Sequence, residues 1–195
     1  MAKTPRRQRA TRPGRLRIVA GKWRRRLLPV TALPGLRPTA ERVRETLFNW
    51  LEPRIEGARC LDACAGTGAL GFEALSRGAR SVTLLDAHAP ALRTLREAPA
   101  TLGAADAEIV QADAVDWLAR ESPRAYDVVF LDPPYRDRLL DDLCRLLAER
   151  NWLADDARVY LELGRNDPQP ALPAGWQVLK DRQAGQVRYL LVAAG

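Results

Sequence analysis

Residues that bind metals or form disulfides are scarce in this sequence. It contains three cysteines, Cys60, Cys64 and Cys144, and a single histidine, His88. The cysteine count is odd, and the spacing fits neither a C-x-x-C pair nor a zinc-binding pattern. We therefore expect a reducing, cytoplasmic setting and no structural metal. Cys60 lies in an apolar segment and is predicted to be a small core residue.

Long apolar runs are also missing. There is no stretch of about 18 apolar residues, so the sequence predicts no transmembrane helix and no contact with a membrane. The basic N-terminus is not followed by an apolar segment, so no secretory signal is predicted. The 195 residues are 47% hydrophobic and 28% charged, which is typical of one soluble domain with a small extension.

Acidic residues are absent from the N-terminal part of the chain. The first one is Glu41, whereas residues 1–30 contain eleven lysines and arginines. The formal charge of the whole chain is +7, so the remainder is slightly acidic. A basic arm of this kind suits the phosphates of a nucleic acid. A tail that only aids solubility is the alternative, and a GC-rich genome would account for the preference for arginine over lysine.

The basic arm divides into a tail and a hairpin. Residues 1–14 have almost no large apolar side chains and are predicted to be a disordered tail. Residues 16–20 alternate between apolar and polar and predict a strand. The pair Gly21-Lys22 is expected to turn the chain into a second strand over residues 24–30, which gives a basic hairpin.

A helix is predicted after the hairpin. Thr39 is expected to cap its N-terminus, and the apolar face is expected to end before Pro53. We therefore predict an extension of hairpin and helix over residues 15–52, followed by the catalytic domain over residues 53–195.

From residue 59 onwards, short apolar segments alternate with amphipathic ones. The predicted strands cover residues 59–62, 81–85, 107–110, 126–131, 157–163, 176–181 and 186–192. The predicted helices cover residues 69–77, 89–98, 114–120 and 138–149. This alternation predicts an α/β, Rossmann-like fold in which helices cover both faces of a mostly parallel sheet. The last two strands are expected to form an antiparallel edge.

A glycine-rich turn links the first of these strands to the first helix. Gly66, Gly68 and Gly71 match the pattern G-x-G-x-x-G. Gly66 allows a tight turn, Gly68 allows the backbone to approach a ligand, and Gly71 allows the helix to pack closely on the strand. The pattern alone fits NAD, FAD and S-adenosylmethionine equally well.

Acidic residues at strand ends narrow the choice of cofactor. Asp86 is placed to accept hydrogen bonds from ribose hydroxyls. Asp62 would lie close to the phosphates of a dinucleotide, so it favours a cationic ligand such as S-adenosylmethionine. Asp113, with Ala114 beside it, is expected to bind the adenine ring. Alternatively, Asp62 is a surface acid or a cap, and Asp113 caps the helix that follows it. His88 is assigned no role.

A rigid loop follows the apolar strand over residues 126–131. Its residues are Asp132, Pro133, Pro134 and Tyr135. The prolines have no N–H group but keep their carbonyls, so the loop is a cluster of acceptors. An exocyclic amino group of a base requires such acceptors, and the ring of Tyr135 could stack on a flipped base. The loop therefore predicts methyl transfer to an exocyclic amine of a nucleic acid, with these four residues as the catalytic set.

Several segments together resemble the RsmD family of 16S rRNA guanine-N2 methyltransferases. They are residues 17–23 (RIVAGKW), 36–51 (LRPTAERVRETLFNWL), 61–78 and 132–135. The resemblance covers residues 16–192, and the RPTAERVRE helix is its most family-specific part.

The resemblance implies a class I methyltransferase fold with a mostly parallel, seven-stranded sheet. It also implies S-adenosylmethionine as methyl donor and 16S rRNA in the small ribosomal subunit as substrate. The target would be the guanine at position 966. Two departures from the family pattern are Asp86, where glutamate is common, and Ala98-Pro99, near which asparagine is common.

The basic arm and the family-specific helix supply the predicted contacts to nucleic acid. By resemblance, residues 37–44 lie near the site and contact cofactor or RNA. The predicted nucleic-acid-binding residues are Arg15, Arg17, Lys22, Trp23, Arg24, Arg25, Arg37, Thr39 and Arg42. We expect the protein to act as a monomer.

Three other functions fit part of the sequence. A DNA adenine-N6 methyltransferase could use the same loop, but the chain has little room for a target-recognition region. A non-catalytic RNA-binding assembly protein would also use the basic arm. An NAD-dependent reductase fits the glycines, yet the sequence offers it no proton-relay pair.

Overall fold

The computed structural model describes residues 14–30, 38–134 and 139–195. The predicted tail lies outside these ranges except for Gly14, and so do Arg37 and Tyr135. Among the described residues, no helix is long and apolar enough to cross a membrane.

Seven strands of the described chain form one sheet in the order β5-β4-β3-β6-β7-β9-β8. The strands are β3 (Arg59–Asp62), β4 (Ser81–Asp86), β5 (Ala107–Gln111), β6 (Tyr126–Leu131), β7 (Leu153–Gly164), β8 (Gln177–Ala184) and β9 (Val187–Ala193). Strands β3 to β7 pair in parallel, whereas β9 pairs antiparallel with both β7 and β8. The predicted fold class and its antiparallel edge are therefore confirmed.

Helices cover both faces of this sheet. They are α1 (Glu41–Ile55), α2 (Ala69–Ser76), α3 (Ala89–Leu102), α4 (Ala114–Arg120) and α5 (Leu139–Glu149). The buried side chains of α1, α2 and α3 form one hydrophobic cluster, and those of α4 and α5 form a second cluster on the other face. Cys60 is buried in the first cluster, as predicted.

Two helices continue through a proline at which the sequence predicted an end. Helix α1 contains Pro53 and helix α3 contains Pro99. A proline removes one backbone hydrogen bond, but each final turn buries an apolar side chain, Ile55 in α1 and Leu102 in α3. This burial offsets the lost bond. The predicted domain boundary at residue 53 consequently falls inside α1.

The N-terminal hairpin is real but shorter than predicted. Strands β1 (Gly14–Arg17) and β2 (Leu27–Val30) pair antiparallel. The chain between them leaves the strand ladder because its backbone bonds to α2: the Lys22 amide donates to the Ser76 carbonyl at 2.7 Å. Gly21 lies so close to Ser76 that a Cβ there would be 1.8 Å from its carbonyl oxygen. The hairpin therefore docks on the end of α2 and shares the core of α1–α3.

Candidate active site

Four carboxylates converge at the carboxyl ends of neighbouring strands. Asp62 ends β3, Asp86 ends β4, Asp113 follows β5 and Asp132 follows β6. Burial raises the pKa of the Cys64 thiol, and the charges of all four carboxylates raise it further. The four predicted acidic site residues thus surround one cleft and line it with acidic groups. In the described part of the chain, no group of three or more potential ligands is arranged to hold a metal ion.

The glycine-rich turn forms one wall of this cleft. Gly66 and Gly68 both have positive φ, 52° and 75°, a conformation that side chains disfavour. Gly68 is the residue from which α2 starts. A Cβ at Gly68 would lie 2.5 Å from the ring of Phe72 and 2.7 Å from Leu95. Sterics and backbone conformation therefore both require glycine at Gly68.

Asp62 lies beneath the turn and holds the start of α2. Its Oδ2 accepts a hydrogen bond of 2.9 Å from the Gly71 amide, so it acts as a cap from outside the helix. It is only 2% exposed, which rules out a surface acid. Burial raises the pKa of Asp62 to about 7. The hydrogen bond from Gly71 lowers this pKa, and the charge of Asp86 raises it slightly. A Cβ at Gly71 would lie 2.8 Å from Leu84, as close helix–strand packing predicts.

Asp86 fastens the glycine-rich turn to the end of β4. Its Oδ2 accepts a 2.9 Å hydrogen bond from the Gly66 amide, and its Oδ1 accepts a 2.7 Å bond from the His88 amide. The His88 ring nitrogen Nδ1 also lies 3.1 Å from Oδ1. His88, which the sequence left without a role, therefore helps to orient this carboxylate.

Asp113 is the N-cap of α4, which was the alternative interpretation of this residue. Its Oδ1 accepts a 3.0 Å hydrogen bond from the Asp116 amide. The side chain of Asp113 is exposed, and Ala114 is buried at the first helical position. The cap positions Asp113 at the rim of the cleft.

The loop after β6 presents acceptors to the same cleft. Asp132 is half-buried, and desolvation together with the charges of Glu162 and Asp62 raises the pKa of its carboxyl well above its usual range. A hydrogen bond from Thr39 opposes this increase and lowers the pKa of Asp132. Thr39 Oγ1 donates to Asp132 Oδ2 at 3.2 Å. Pro133 adds no N–H donor to the loop.

A cavity of about 560 Å³ opens beside this loop. Its wall includes Pro133, Pro134 and Glu162, together with the start of α5 and residues 167–171. Glu162 is buried in β7 and accepts a 2.6 Å hydrogen bond from the Tyr160 hydroxyl. Sequence reasoning missed Glu162, although an acid within an apolar strand is an unusual enough pattern to have indicated it.

Two predicted nucleic-acid contacts are placed differently from the prediction. Trp23 is 5% exposed and packs in the core of α1–α3, so its ring does not face solvent for stacking. Thr39 is 8% exposed, and it neither caps α1 nor faces outward, because its hydroxyl points to Asp132. Ala40 occupies the N-cap position, without a side-chain cap.

The remaining basic residues of the prediction lie on the surface. The exposed ones are Arg15, Arg17, Lys22, Arg24, Arg25 and Arg42. Arg17 is within 3.8 Å of Glu41 in a solvent-exposed ion pair. Arg24 also lines a second cavity, between the hairpin and the helices α1 and α2. The hairpin and the start of α1 therefore present basic side chains to solvent.

Comparison with known proteins assigns the family. Residues 16–193 match the model of the family described as conserved hypothetical protein 95. The chain belongs to this family. Ribosomal RNA small subunit methyltransferase D of Escherichia coli strain K12 is 47% identical over 178 residues, which cover 91% of this chain and 89% of that protein. The protein of the same name from Haemophilus influenzae is 44% identical and covers 91% of this chain and 93% of its own length.

Solved structures agree with the family assignment. A putative methyltransferase, yhhF, from Escherichia coli has a TM-score of 0.86 at 43% identity and covers 92% of this chain and 98% of its own. Magnesium protoporphyrin IX methyltransferase from Synechocystis, solved with bound S-adenosylmethionine, has a TM-score of 0.60 at 19% identity and shares the fold. The resemblance to the RsmD family of methyltransferases is thereby confirmed, as is the class I methyltransferase fold.

Proposed function

We propose that the protein transfers a methyl group from S-adenosylmethionine to the exocyclic N2 of a guanine in 16S rRNA. By family resemblance the target is the guanine at position 966 of the small ribosomal subunit. The observation that carries the proposal is the acceptor-only loop beginning at Asp132, which lies between an acidic cleft and a cavity large enough for a base.

The residues that line the cleft suit the cofactor. The glycine-rich turn brings the backbone of Gly66 and Gly68 to its edge, and Asp62 places a carboxylate beneath it. Asp86 would accept hydrogen bonds from the ribose, and Asp113, with Ala114, would contact the adenine. The acidic lining suits the sulfonium and ammonium groups of S-adenosylmethionine, whereas it would repel the phosphates of NAD.

The loop after β6 would activate the target amine. The lone pair of an exocyclic amine is delocalised into the ring, so the nitrogen is a poor nucleophile. Asp132 and the carbonyl of Pro133 would accept hydrogen bonds from the two N–H groups and stabilise the positive charge that develops on nitrogen. S-adenosylmethionine, when bound, supplies the electrophilic methyl group.

The Asp132 carboxylate would also accept the proton that the amine loses. As the N–C bond forms and the C–S bond breaks, the amine must lose one proton, and Asp132 is placed to take it and pass it to solvent. The raised pKa of Asp132 makes its carboxylate a better base than an exposed aspartate. Tyr135 completes the proposed catalytic set as the stacking partner of the base, together with Pro134.

The exposed basic residues would hold the RNA. Arg15, Arg17, Lys22, Arg24, Arg25 and Arg42 are suited to phosphate contacts that carry no base specificity, and Arg37 is proposed to join them. The 30S subunit as partner, action as a monomer and a cytoplasmic location are parts of the same proposal.

Mapping of the methylated nucleotide tests this function. We expect rRNA from cells that lack the protein to lose one N2-methylguanosine at position 966, detectable by mass spectrometry of rRNA fragments. Purified protein should methylate this site in stripped 16S rRNA or in 30S particles taken from those cells. Transfer to adenine N6 of duplex DNA would instead identify a DNA methyltransferase. Calorimetric binding of NADH in preference to S-adenosylmethionine would identify a reductase.

A further inference from the structure

A buried ion pair lies outside the methyl-transfer machinery proposed above. Arg44 of α1 and Glu73 of α2 are 1% and 0% exposed, and their Nη1 and Oε2 atoms are 3.0 Å apart. Burial lowers the pKa of Arg44, although the charge of Glu73 opposes that change. A buried charge pair is costly to desolvate and is weak evidence of stabilisation by itself, so its other contacts indicate what it does.

Glu73 ties the hairpin to the two helices. Its Oε2 accepts a 2.8 Å bond from the Val19 amide, and its Oε1 accepts a 3.0 Å bond from the Ala20 amide. Its Oε1 also accepts a 2.9 Å bond from Arg77. The same carboxylate therefore fixes the hairpin segment and orients the guanidinium of Arg44.

The other edge of Arg44 faces the segment before α1. Its Nε donates to the backbone carbonyl of Thr39 at 3.1 Å. The planar guanidinium holds both bonds in a fixed geometry, so the position of Thr39 follows from that of Glu73. The Thr39 hydroxyl in turn donates to Asp132 Oδ2 at 3.2 Å, across 93 positions of sequence.

We infer that Thr39 is a positioning residue for Asp132, held in place by Arg44 and Glu73, which connect the RNA-facing hairpin to the catalytic loop. This inference rests on the proposed role of Asp132 in methyl transfer. The hydroxyl orients one carboxylate oxygen and leaves the other to accept from the target amine.

The electrostatic setting gives this hydrogen bond a measurable consequence. Glu162 from β7 and Asp62 from β3 face Asp132 with negative charge, and both disfavour its ionised form. The hydrogen bond from Thr39 favours the ionised form. Removing the hydroxyl should raise the pKa of Asp132 and move the acid limb of the pH–rate profile to higher pH.

The variant Thr39→Val tests the inference, because it keeps the shape of the side chain and removes the donor. We expect single-turnover methyl transfer at pH 7 to fall roughly tenfold to a hundredfold, as for the loss of a hydrogen bond to a charged group. The acid limb should shift upward, whereas the dissociation constant for rRNA should change less than twofold. Thr39→Ser, which restores a hydroxyl, should recover most of the rate and the original acid limb.

Thr46 in helix α1 provides a matched control. Thr46 donates to the Arg42 carbonyl within α1, so Thr46→Val makes the same chemical change away from Asp132 and should leave the profile unshifted. An unshifted profile for Thr39→Val, or failure of Thr39→Ser to recover, would overturn the inference. Absence of guanine methylation by the unmodified protein would instead overturn the proposed function, so the two failures are distinguishable.

The variant Arg44→Lys tests whether Arg44 holds Thr39 in place. Lysine keeps a positive charge for Glu73 but lacks the planar guanidinium that also reaches the Thr39 carbonyl. We expect the same direction of shift in the acid limb, and no further loss of rate when Arg44→Lys is combined with Thr39→Val. Full additivity of the two rate losses would show that Arg44 does not act through Thr39.

Discussion

Asp132 is the residue on which the proposed chemistry depends. Asp132→Asn keeps the size of the side chain but replaces an acceptor with an amide that can present N–H groups to the target amine. We expect single-turnover methyl transfer to fall roughly 10²–10³-fold, comparable to the loss of one preorganised electrostatic group. Rates measured with saturating cofactor and rRNA, beside equilibrium binding of each, would separate this loss from weaker binding. Transfer at an undiminished rate by Asp132→Asn would remove the carboxylate from the mechanism.

Asp62 should make cofactor binding depend on pH. Its pKa is about 7 because of burial, so below pH 7 the carboxyl is mostly protonated and neutral. A cationic ligand favours the ionised form, so binding releases a proton and affinity falls as the pH falls. We expect the dissociation constant of S-adenosylmethionine to rise by up to about tenfold per pH unit below 7, measured by calorimetry between pH 5.5 and 8.

The variant Asp62→Asn is the control for that measurement. It removes the titrating group, and it leaves any titration of the ligand itself unchanged. We expect weaker binding at pH 8 with little dependence on pH. A pH dependence identical to that of the unmodified protein would mean that another group is responsible.

At the scale of elements, the junction between β3 and α2 is the most constrained part of the chain. Gly68 and Gly103 both have positive φ at a helix end, but a Cβ at Gly103 would meet nothing within 4 Å. Gly103→Ala should therefore lower the free energy of unfolding by about 1–2 kcal/mol, which is the cost of placing alanine in a left-handed backbone conformation. Gly68→Ala should cost about 1–3 kcal/mol more, because the methyl group would overlap Phe72 and Leu95.

Denaturant unfolding of the two alanine variants measures this difference directly. Gly68→Ala should also weaken binding of S-adenosylmethionine, whereas Gly103→Ala should leave it unchanged. Equal losses of stability in the two variants would show that the close packing around Gly68 contributes nothing beyond backbone conformation.

Local sequence patterns were sufficient to predict the bounds of some strands and helices. Strands β3 and β6 and helix α4 were predicted with the observed bounds, because turn or capping residues mark the ends of these short segments. The ends of α1 and α3 were predicted wrongly. A proline in the last turn looks like a stop signal in sequence, and only the buried packing of Ile55 and Leu102 shows that the helix continues.

At the scale of the whole molecule, exposed positive charge is concentrated on the hairpin. Arg15, Arg24 and Arg25 are exposed there. We expect the triple variant with serine at these positions to bind rRNA more weakly at every salt concentration. The slope of log affinity against log salt should shrink by roughly three, about one for each lost phosphate contact.

Arginines on the opposite face provide the control. Arg120 on α4 and Arg145 on α5 are exposed, and their replacement by serine should leave the salt slope unchanged. An equal effect per arginine removed in filter-binding titrations would mean that net charge, rather than the hairpin surface, drives RNA binding.

The sequence by itself determined the alternation of strands and helices, the glycine-rich turn and the four acidic residues at strand ends. These features follow from local periodicity and from the rule that parallel strands end at one edge of a sheet. The tertiary structure alone decided the partners of residues far apart in the chain. Thr39 was predicted to cap a helix and Trp23 to contact nucleic acid, but packing buries both. The Glu73 carboxylate accepts hydrogen bonds from backbone amides 53 and 54 positions away. Such contacts depend on how the elements pack, which periodicity does not encode.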